Sequence, residues 1–164
     1  KSTGFFVSSD GLLVAPSFIL DADAHINVQL NGAHESFVAQ LVARDDEAHI
    51  ALLRVRLVGP VTPVQAWNTE PKLGDQALVL AFIGGSEWVS RSGSIVGLGI
   101  QNPKETRGRI ATNIASSPGF AGAPVVDTSG RLIGMAESRD GAGNSMVIQA
   151  ATIREFLVRH NAVR

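Results

Sequence analysis

The chain has 164 residues, of which 45% are hydrophobic, and carries a formal net charge of −1 at pH 7. This length fits one domain or two small barrels that share an interface, and the apolar content argues against disorder. Acidic and basic residues are nearly balanced, with no run of either sign, so neither nucleic acid nor an anionic membrane is an expected partner. The absence of cysteine excludes disulfides, thiolate metal sites and a cysteine nucleophile.

The chain begins at Lys1, already inside a strand-like segment, which is typical of a domain cut from a longer protein. No apolar stretch approaches the roughly 20 residues of a membrane helix, and no targeting signal is recognisable. Flanking domains or a membrane anchor outside this fragment are therefore compatible with the sequence.

Short strand-like runs bounded by turn residues follow one another along the first third of the chain. They cover residues 4–8, 12–15, 25–30, 35–44 and 50–56. Asp10-Gly11 and Asn31-Gly32 are typical of hairpin turns. These runs predict a first barrel over about residues 1–66. The proline-containing residues 57–73 predict an extended connector, whose last part, about 67–73, leads into a second barrel.

A second group of strand-like runs predicts another barrel over about residues 74–150, followed by a helix over about 152–161. The strand-like runs cover residues 76–82, 88–99, 110–114, 123–127, 131–138 and 146–150. Thr152 and Glu155 have capping-box spacing, and Ile153, Phe156 and His160 lie on one helical face. The sequence therefore predicts an all-β fold: two six-stranded antiparallel barrels and a C-terminal α-helix.

Several motifs, in their order along the chain, resemble the HtrA/DegP-type branch of the trypsin-fold serine proteases. Residues 117–124 resemble a nucleophile loop that reads Pro-Gly-Asn-Ser-Gly-Gly-Pro in a working protease. The other segments that carry the resemblance are residues 2–14, 50–55, 73–75, 92–96, 131–135 and 146–150. The resemblance covers nearly the whole chain and implies a trypsin-like double barrel.

The same resemblance implies that all three catalytic positions are replaced. Phe18 occupies the position of the histidine base, His49 that of the aspartate, and Ala121 that of the serine. Phenylalanine accepts no proton and an alanine methyl cannot attack a carbonyl, so the triad chemistry is lost. A laboratory Ser→Ala substitution would explain Ala121 alone, but not Phe18 and His49. A relocated triad would need Ser116 or Ser117 to contact His25 or His49; hydrogen bonding within a turn is the simpler role for both serines.

The oxyanion hole of this fold is made by backbone N–H groups, which correspond here to those of Gly119 and Ala121. Backbone donors survive side-chain replacement, so a carbonyl or carboxylate could still bind there. Phe120 and Ala123, however, replace a small polar residue and a glycine, and the loop could instead have collapsed. Both alternatives remain open at the level of the sequence.

Histidines offer a second kind of site. In trypsin-like folds the C-terminal helix packs near the strand that carries the aspartate, so His49 and His160 could approach each other and bind a transition metal. Some degenerate family members associated with magnetosome biomineralisation are credited with metal binding by histidines. The alternative is that His49 forms a hydrogen bond in the vacant triad and His160 interacts with the helix end. His25 and His34 carry no such indication.

Two tryptophans and one loop complete the candidates. Trp67 is expected to pack between the barrels, and Trp88 to be partly exposed after Gly84-Gly85, which lacks the features of a phosphate loop. Residues 101–109 are expected to form a solvated loop.

The sequence thus predicts an inactive trypsin-like domain that binds a protein or peptide in the old substrate cleft. Metal binding is the alternative, and a purely structural spacer a third interpretation. The resemblance also implies a periplasmic or other extracytoplasmic location.

Overall fold

The computed structural model describes residues 1–21, 25–30, 33–83, 87–100, 108–139 and 144–162. Short antiparallel strands dominate, and a single-turn 3₁₀ helix at Ser17–Ile19 follows the second strand. The elements in chain order are β1 (Phe5–Phe6), β2 (Leu12–Pro16), β3 (Ile26–Gln29), β4 (Ser36–Asp45), β5 (Ile50–Val55), β6 (Gln76–Ile83), β7 (Glu87–Ile100), β8 (Arg109–Ala115), β9 (Pro124–Val126), β10 (Leu132–Arg139), β11 (Asn144–Gln149) and α1 (Ala150–Arg159).

The first five strands form one sheet in the order β1-β2-β5-β4-β3. β2 and β5 are buried along almost their whole length because both of their faces are covered, which explains their largely apolar sequences. β3 alternates between half-buried and exposed residues, as expected for an edge strand with one solvated face. Five strands of this half-barrel pair within the described residues, where the sequence predicted six.

The remaining strands close into a barrel in the order β10-β11-β8-β7-β6-β9. Its interior is filled by small and medium side chains such as Ala77, Val79 and Ala81, which alternate with outward residues along β6. A six-stranded barrel has a narrow interior, so alanine and valine suit these positions. The all-β fold with a trypsin-like double-barrel arrangement and a C-terminal helix is confirmed.

A core of buried apolar side chains lies between the half-barrel, the closed barrel and α1. It includes Val14, Leu132 and Phe156. Trp67 packs against this core, as expected, and the connector around it is bound to β10. The N–H of Asn68 donates to the carbonyl of Leu132 at 2.8 Å, and the N–H of Leu132 donates to Ala66 at 2.8 Å. These bonds fix the half-barrel against the closed barrel.

The start of the helix differs from the sequence prediction. β11 runs directly into α1, and the N-terminal cap is Gln149, whose backbone is extended and whose side chain makes no capping bond. Thr152 is buried in the first turn, so the predicted capping box with Glu155 was wrong. His160, which the sequence placed on the apolar helical face, is the C-cap residue and is exposed. Among the described residues, no helix has the length and apolar content needed to cross a bilayer.

Candidate functional site

Phe18 and His49 lie against each other at one end of the half-barrel. The Ser17–Ile19 turn follows β2, and the N–H of Ser17 donates to the carbonyl of His49 at 3.0 Å. The two rings meet edge to face, with centroids 6.1 Å apart. His49 has φ of 60°, a left-handed conformation that few residues other than glycine adopt. The structure therefore brings together the two positions that the sequence assigned to the base and its aspartate.

A buried carboxylate holds the His49 ring. Nδ1 of His49 is hydrogen-bonded to Oε1 of Glu137, and Nε of Arg109 donates to Oε2 of Glu137 at 2.6 Å. The Arg109 and Glu137 side chains are 3% and 7% exposed, whereas that of His49 is 33% exposed. Burying two opposite charges is tolerable when they pair and hydrogen-bond well, as these do. The result is a chain of three polar side chains that runs from the protein interior to the surface.

Glu137 reaches this position because β10 is irregular there. Ala136 pairs with Val147 and Ser138 with Met146, so Glu137 is the extra residue of a β-bulge. Bulges change the direction of a side chain and interrupt pairing next to functional sites. β9 pairs with β10 from Leu132 as far as Met135 and no further along the strand. On the edge away from β11, residues 137–139 therefore have no strand partner among the described residues.

The loop that carries Ala121 is fixed through its carbonyl groups. The N–H of Thr3 donates to the Ala121 carbonyl at 3.0 Å, and Oγ of Ser2 donates to the same oxygen at 2.6 Å. Oγ1 of Thr3 donates to the Gly119 carbonyl at 2.8 Å. The N–H groups of Gly119 and Ala121 donate no hydrogen bond within the part of the chain that the structure describes. Both residues are half-buried.

The backbone of this loop needs glycine at two positions, and both are glycine. Gly119 and Gly122 have φ of 95° and 87°. A Cβ at Gly122 would also overlap the carbonyl oxygen of Thr3. Ala123 lies outside the left-handed region and donates to the Phe120 carbonyl at 2.9 Å, so alanine there adds no backbone strain. The side chain of Phe120 is buried in the closed barrel.

These loops converge on one junction between the two barrels. The Cδ of Pro16 lies 2.7 Å from the position of a Cβ on Gly122, and the N–H of Gly122 donates to the Ala136 carbonyl at 2.7 Å. Ala136 immediately precedes Glu137, which binds His49. The junction therefore gathers the residues at all three positions that the sequence singled out.

Comparison with known families agrees with this geometry. The sequence model of the family described as "Trypsin-like peptidase domain" matches residues 2–135. The chain belongs to this family.

The similar proteins are of the HtrA/DegP type. This trypsin-like domain is 27% identical over 136 residues to a "Probable periplasmic serine endoprotease DegP-like" of Marinomonas sp., covering 81% of the chain and 28% of that protein. It is 27% identical over 173 residues to "Serine protease HTRA1" of Xenopus tropicalis, covering 98% of the chain and 36% of that protein. It is also 27% identical over 168 residues to "Serine protease HTRA2, mitochondrial" of Bos taurus, covering 97% of the chain and 36% of that protein. The chain thus spans about a third of the length of these relatives.

The other predicted site residues of this trypsin-like domain lie apart from the junction or have structural partners. Oγ of Ser117 accepts a hydrogen bond from Nη1 of Arg91 on β7 at 2.8 Å, a partner outside the turn to which the sequence prediction assigned its bonding. His25 and His34 are exposed. Trp88 is 47% exposed and its ring contacts that of Phe82. Residues 101–107, and the turns at Asn31-Gly32, Gly84-Gly85 and Asp140-Gly141, lie outside the described residues.

His160 lies at the end of the helix near the turn that leads to His49. Its ring contacts that of Phe156, with centroids 4.8 Å apart. Nη2 of the neighbouring Arg159 lies 3.2 Å from Oδ2 of Asp45, at the end of β4. Within the described ranges, no three or more His, Cys, Asp or Glu residues cluster as a ligand set.

Sequence reasoning missed Arg109 and Glu137. Arg109 was assigned to a solvated loop, but it begins β8 and is 2% exposed. Glu137 was included in a predicted strand without a role. A useful indication was available: Glu137 follows Ile-Gly-Met-Ala in a buried run, and a charge there requires an opposite charge nearby.

Proposed function

We propose that this trypsin-like domain is catalytically inactive and binds an extended segment of a partner protein in the former substrate cleft. The observation that carries the proposal is the edge of β10 at residues 137–139, which has no strand partner in the described part of the chain and lies next to the loop of Gly119 and Ala121. An extended peptide can add to such an edge through main-chain hydrogen bonds. The two N–H groups would bind a carbonyl or carboxylate oxygen of the same segment.

The side chains at the junction support binding without hydrolysis. Ala121 has no nucleophilic atom, and Phe18 has no group that accepts a proton. Nδ1 of His49 is engaged by Glu137. The cleft therefore keeps its backbone donors and its strand edge while lacking a nucleophile and a base in contact.

The test is binding of a library of fluorescent extended peptides, followed by measurement of Kd for the best peptide. Ala121→Leu fills the space in front of the loop and is expected to weaken binding at least tenfold. Ala66→Leu, at an exposed residue of the connector, is the matched control and should leave Kd unchanged. Cleavage of any peptide by the purified domain would contradict the inactive assignment. Equal loss of affinity in both variants would contradict the position of the site.

Transition-metal binding by His49 and His160 is the second candidate. One observation favours it: the ion pair of Arg159 with Asp45 holds the end of α1, next to His160, near the turn that precedes β5 and ends at His49. Neutral imidazole is a suitable ligand for Ni²⁺, Co²⁺, Cu²⁺ and Zn²⁺, and water would complete the coordination.

This candidate predicts saturable binding of Ni²⁺ or Co²⁺ in calorimetric titrations. Affinity should fall at least tenfold in His49→Ala and in His160→Ala. His34→Ala, at an exposed histidine away from the junction, should bind as the wild type does. Unchanged affinity in both of the first two variants would contradict the site.

We also propose an extracytoplasmic location, because the similar bacterial protein from Marinomonas is named as periplasmic. Labelling of the native protein with a membrane-impermeant reagent in intact and spheroplasted cells would test it. Labelling only after lysis of the inner membrane would contradict this location.

A further inference from the structure

A polar cavity of about 430 Å³ lies beside the connector, where the chain enters the closed barrel. It is lined by residues 67–70 and Lys72 of the connector, by Asp75 before β6 and by Arg131 before β10. None of these residues belongs to the junction at the former triad. Proteins commonly hold small ligands in cavities of roughly 300–1,000 Å³. The cavity is therefore large enough for a small ligand such as a disaccharide.

The wall that contains Asn68 and Arg131 is held in place by hydrogen bonds. Nδ2 of Asn68 donates to Oδ2 of Asp127 at 3.1 Å, and Nε of Arg131 donates to the same oxygen at 2.9 Å. Oδ1 of Asn68 accepts from the N–H of Glu70 at 3.2 Å, which shapes the turn that follows. A ligand that binds against a wall fixed in this way loses less free energy to the ordering of the protein.

Four other polar groups of the lining have no hydrogen-bond or ion-pair partner among the described residues. They are the indole N–H of Trp67, the hydroxyl of Thr69, the carboxylate of Glu70 and the ammonium of Lys72. In that part of the chain, Oγ1 of Thr112 is the one side-chain polar atom that is fully buried without a partner. The Trp67 N–H is therefore accessible to solvent, and the other three side chains belong to exposed residues.

The chemistry of these groups determines which class of ligand the cavity suits. Carboxylate and amide oxygens accept hydrogen bonds, while ammonium, guanidinium and indole N–H groups donate them. The lining holds two cationic side chains and two carboxylates, so it has no excess charge that would attract an ion. A hydroxyl both donates and accepts, and a saccharide presents several hydroxyls at fixed spacing without net charge. A neutral ligand rich in hydroxyls therefore matches the mixture of donors and acceptors.

Trp67 adds the apolar surface that a sugar ring needs. The indole packs against the core between the barrels, and its remaining surface lines the cavity. A tryptophan side chain combines a large apolar body with one N–H donor, and the C–H groups of a pyranose ring pack well on such a surface. We propose that this cavity binds a saccharide, with hydrogen bonds to Glu70 and Lys72 and with Trp67 as the aromatic contact. The site shares no residue with the proposed peptide-binding cleft and does not depend on it.

The first experiment titrates the ¹⁵N-labelled domain with cellobiose and, separately, with N,N′-diacetylchitobiose, and follows the indole N–H signals. The chain has two tryptophans, and Trp88, which is 47% exposed and does not line the cavity, is an internal control. Trp88→Phe assigns the two signals. We expect a saturable shift of the Trp67 signal with at least one of the disaccharides and no shift of the Trp88 signal. The absence of a saturable shift at Trp67 with both disaccharides, or equal shifts of both tryptophans, would overturn the inference.

The second experiment measures Kd of the more tightly bound disaccharide in Glu70→Ala, Lys72→Ala and Glu35→Ala. The first two variants remove exposed side chains without partners in the described part of the chain, so folding should be retained. Each should weaken binding about tenfold, because a hydrogen bond to a charged group is lost. Glu35 is exposed and does not line the cavity, so its variant should match the wild type. Unchanged Kd in both cavity variants would overturn the site, and tighter binding of free lysine than of the disaccharide would overturn the ligand class.

Discussion

The guanidinium of Arg91 lies over the ring of Phe120, with its central carbon 4.9 Å from the ring centroid. Nη1 of the same side chain donates to the carbonyl of Ala115 and to Oγ of Ser117, both at 2.8 Å. Phe120 is 1% exposed and belongs to the core of the closed barrel. One arginine on β7 and one aromatic side chain therefore fix both ends of the loop that leads to Ala121.

Truncation of Phe120 should destabilise the domain strongly. Phe120→Ala removes a fully buried aromatic side chain, which typically costs about 3–5 kcal/mol in the free energy of unfolding. The loss should appear in urea-induced unfolding as a lower midpoint with an unchanged slope. A loss below about 1 kcal/mol would mean that the loop is not anchored by this side chain.

Arg91→Ala should have a smaller effect, about 1–3 kcal/mol, because it removes a cation–π contact and two hydrogen bonds from a half-buried site. Arg56→Ala, at an exposed arginine at the end of β5, is the matched control and should be nearly neutral. Equal unfolding midpoints for the two arginine variants would contradict the role assigned to Arg91.

Gly122→Ala should be more damaging than an ordinary substitution at a positive φ. It combines left-handed backbone strain with overlap between the new Cβ and the Thr3 carbonyl. Gly130→Ala isolates the strain, because Gly130 has φ of 78° and no atom within 4 Å of its Cβ position. We expect about 1–2 kcal/mol for Gly130→Ala and a clearly larger loss for Gly122→Ala. Equal losses in thermal or urea unfolding would mean that the loop moves away from Thr3 at no cost.

The strands of this fold could be predicted because they depend on local patterns. β6 alternates small buried residues with more exposed ones, and β5 is an apolar run interrupted only by Arg54. The start of α1 could not be predicted in the same way. Thr152 and Glu155 have the spacing of a capping box, but β11 continues into the helix, and burial of Ala150 against the core sets the first turn.

In the candidate site, too, the local sequence pattern predicts some features and not others. Phe18, His49 and Ala121 could be located because each lies in a short motif at a fixed distance from a strand. Arg109 and Glu137 are 28 residues apart and on different strands. Their pairing depends on the bulge in β10 and on closure of the barrel. No local sequence pattern predicts either of these features. Polar networks between residues far apart in the sequence can be recognised only when the three-dimensional fold is known.

Asp127 should make stability depend on pH at the acidic end. Burial alone would raise its pKa, but hydrogen bonds from the backbone N–H groups of Arg131 and Ser129 outweigh this, so the pKa lies below its ordinary value. A lowered pKa means that the stabilisation is fully present above the unfolded-state pKa, about 3.9, and is lost as pH falls through the lower folded-state pKa.

The measurement is the unfolding free energy of wild type and Asp127→Asn between pH 7 and pH 2. We expect a loss of about 1–3 kcal/mol at pH 7, because charge-assisted bonds become neutral ones, and convergence of the two curves at low pH. Asp21→Asn, at an exposed residue, should follow the wild type throughout. A difference that persists unchanged at pH 2 would show that the side-chain carboxylate charge is not the cause.

If the proposed inactivity is correct, a serine introduced at position 121 should not by itself create a protease. In Ala121→Ser the hydroxyl would sit in a loop whose backbone is suited to it, but activation requires a base in hydrogen-bond contact. The position assigned to that base is Phe18, and its neighbour His49 already engages Glu137 through Nδ1. Ala121→Ser should therefore neither cleave unfolded casein nor react with a fluorophosphonate probe above the level of Ala121→Gly. Rapid labelling of the Ala121→Ser variant would mean that His49 or another base can reach the new hydroxyl, and it would contradict this prediction.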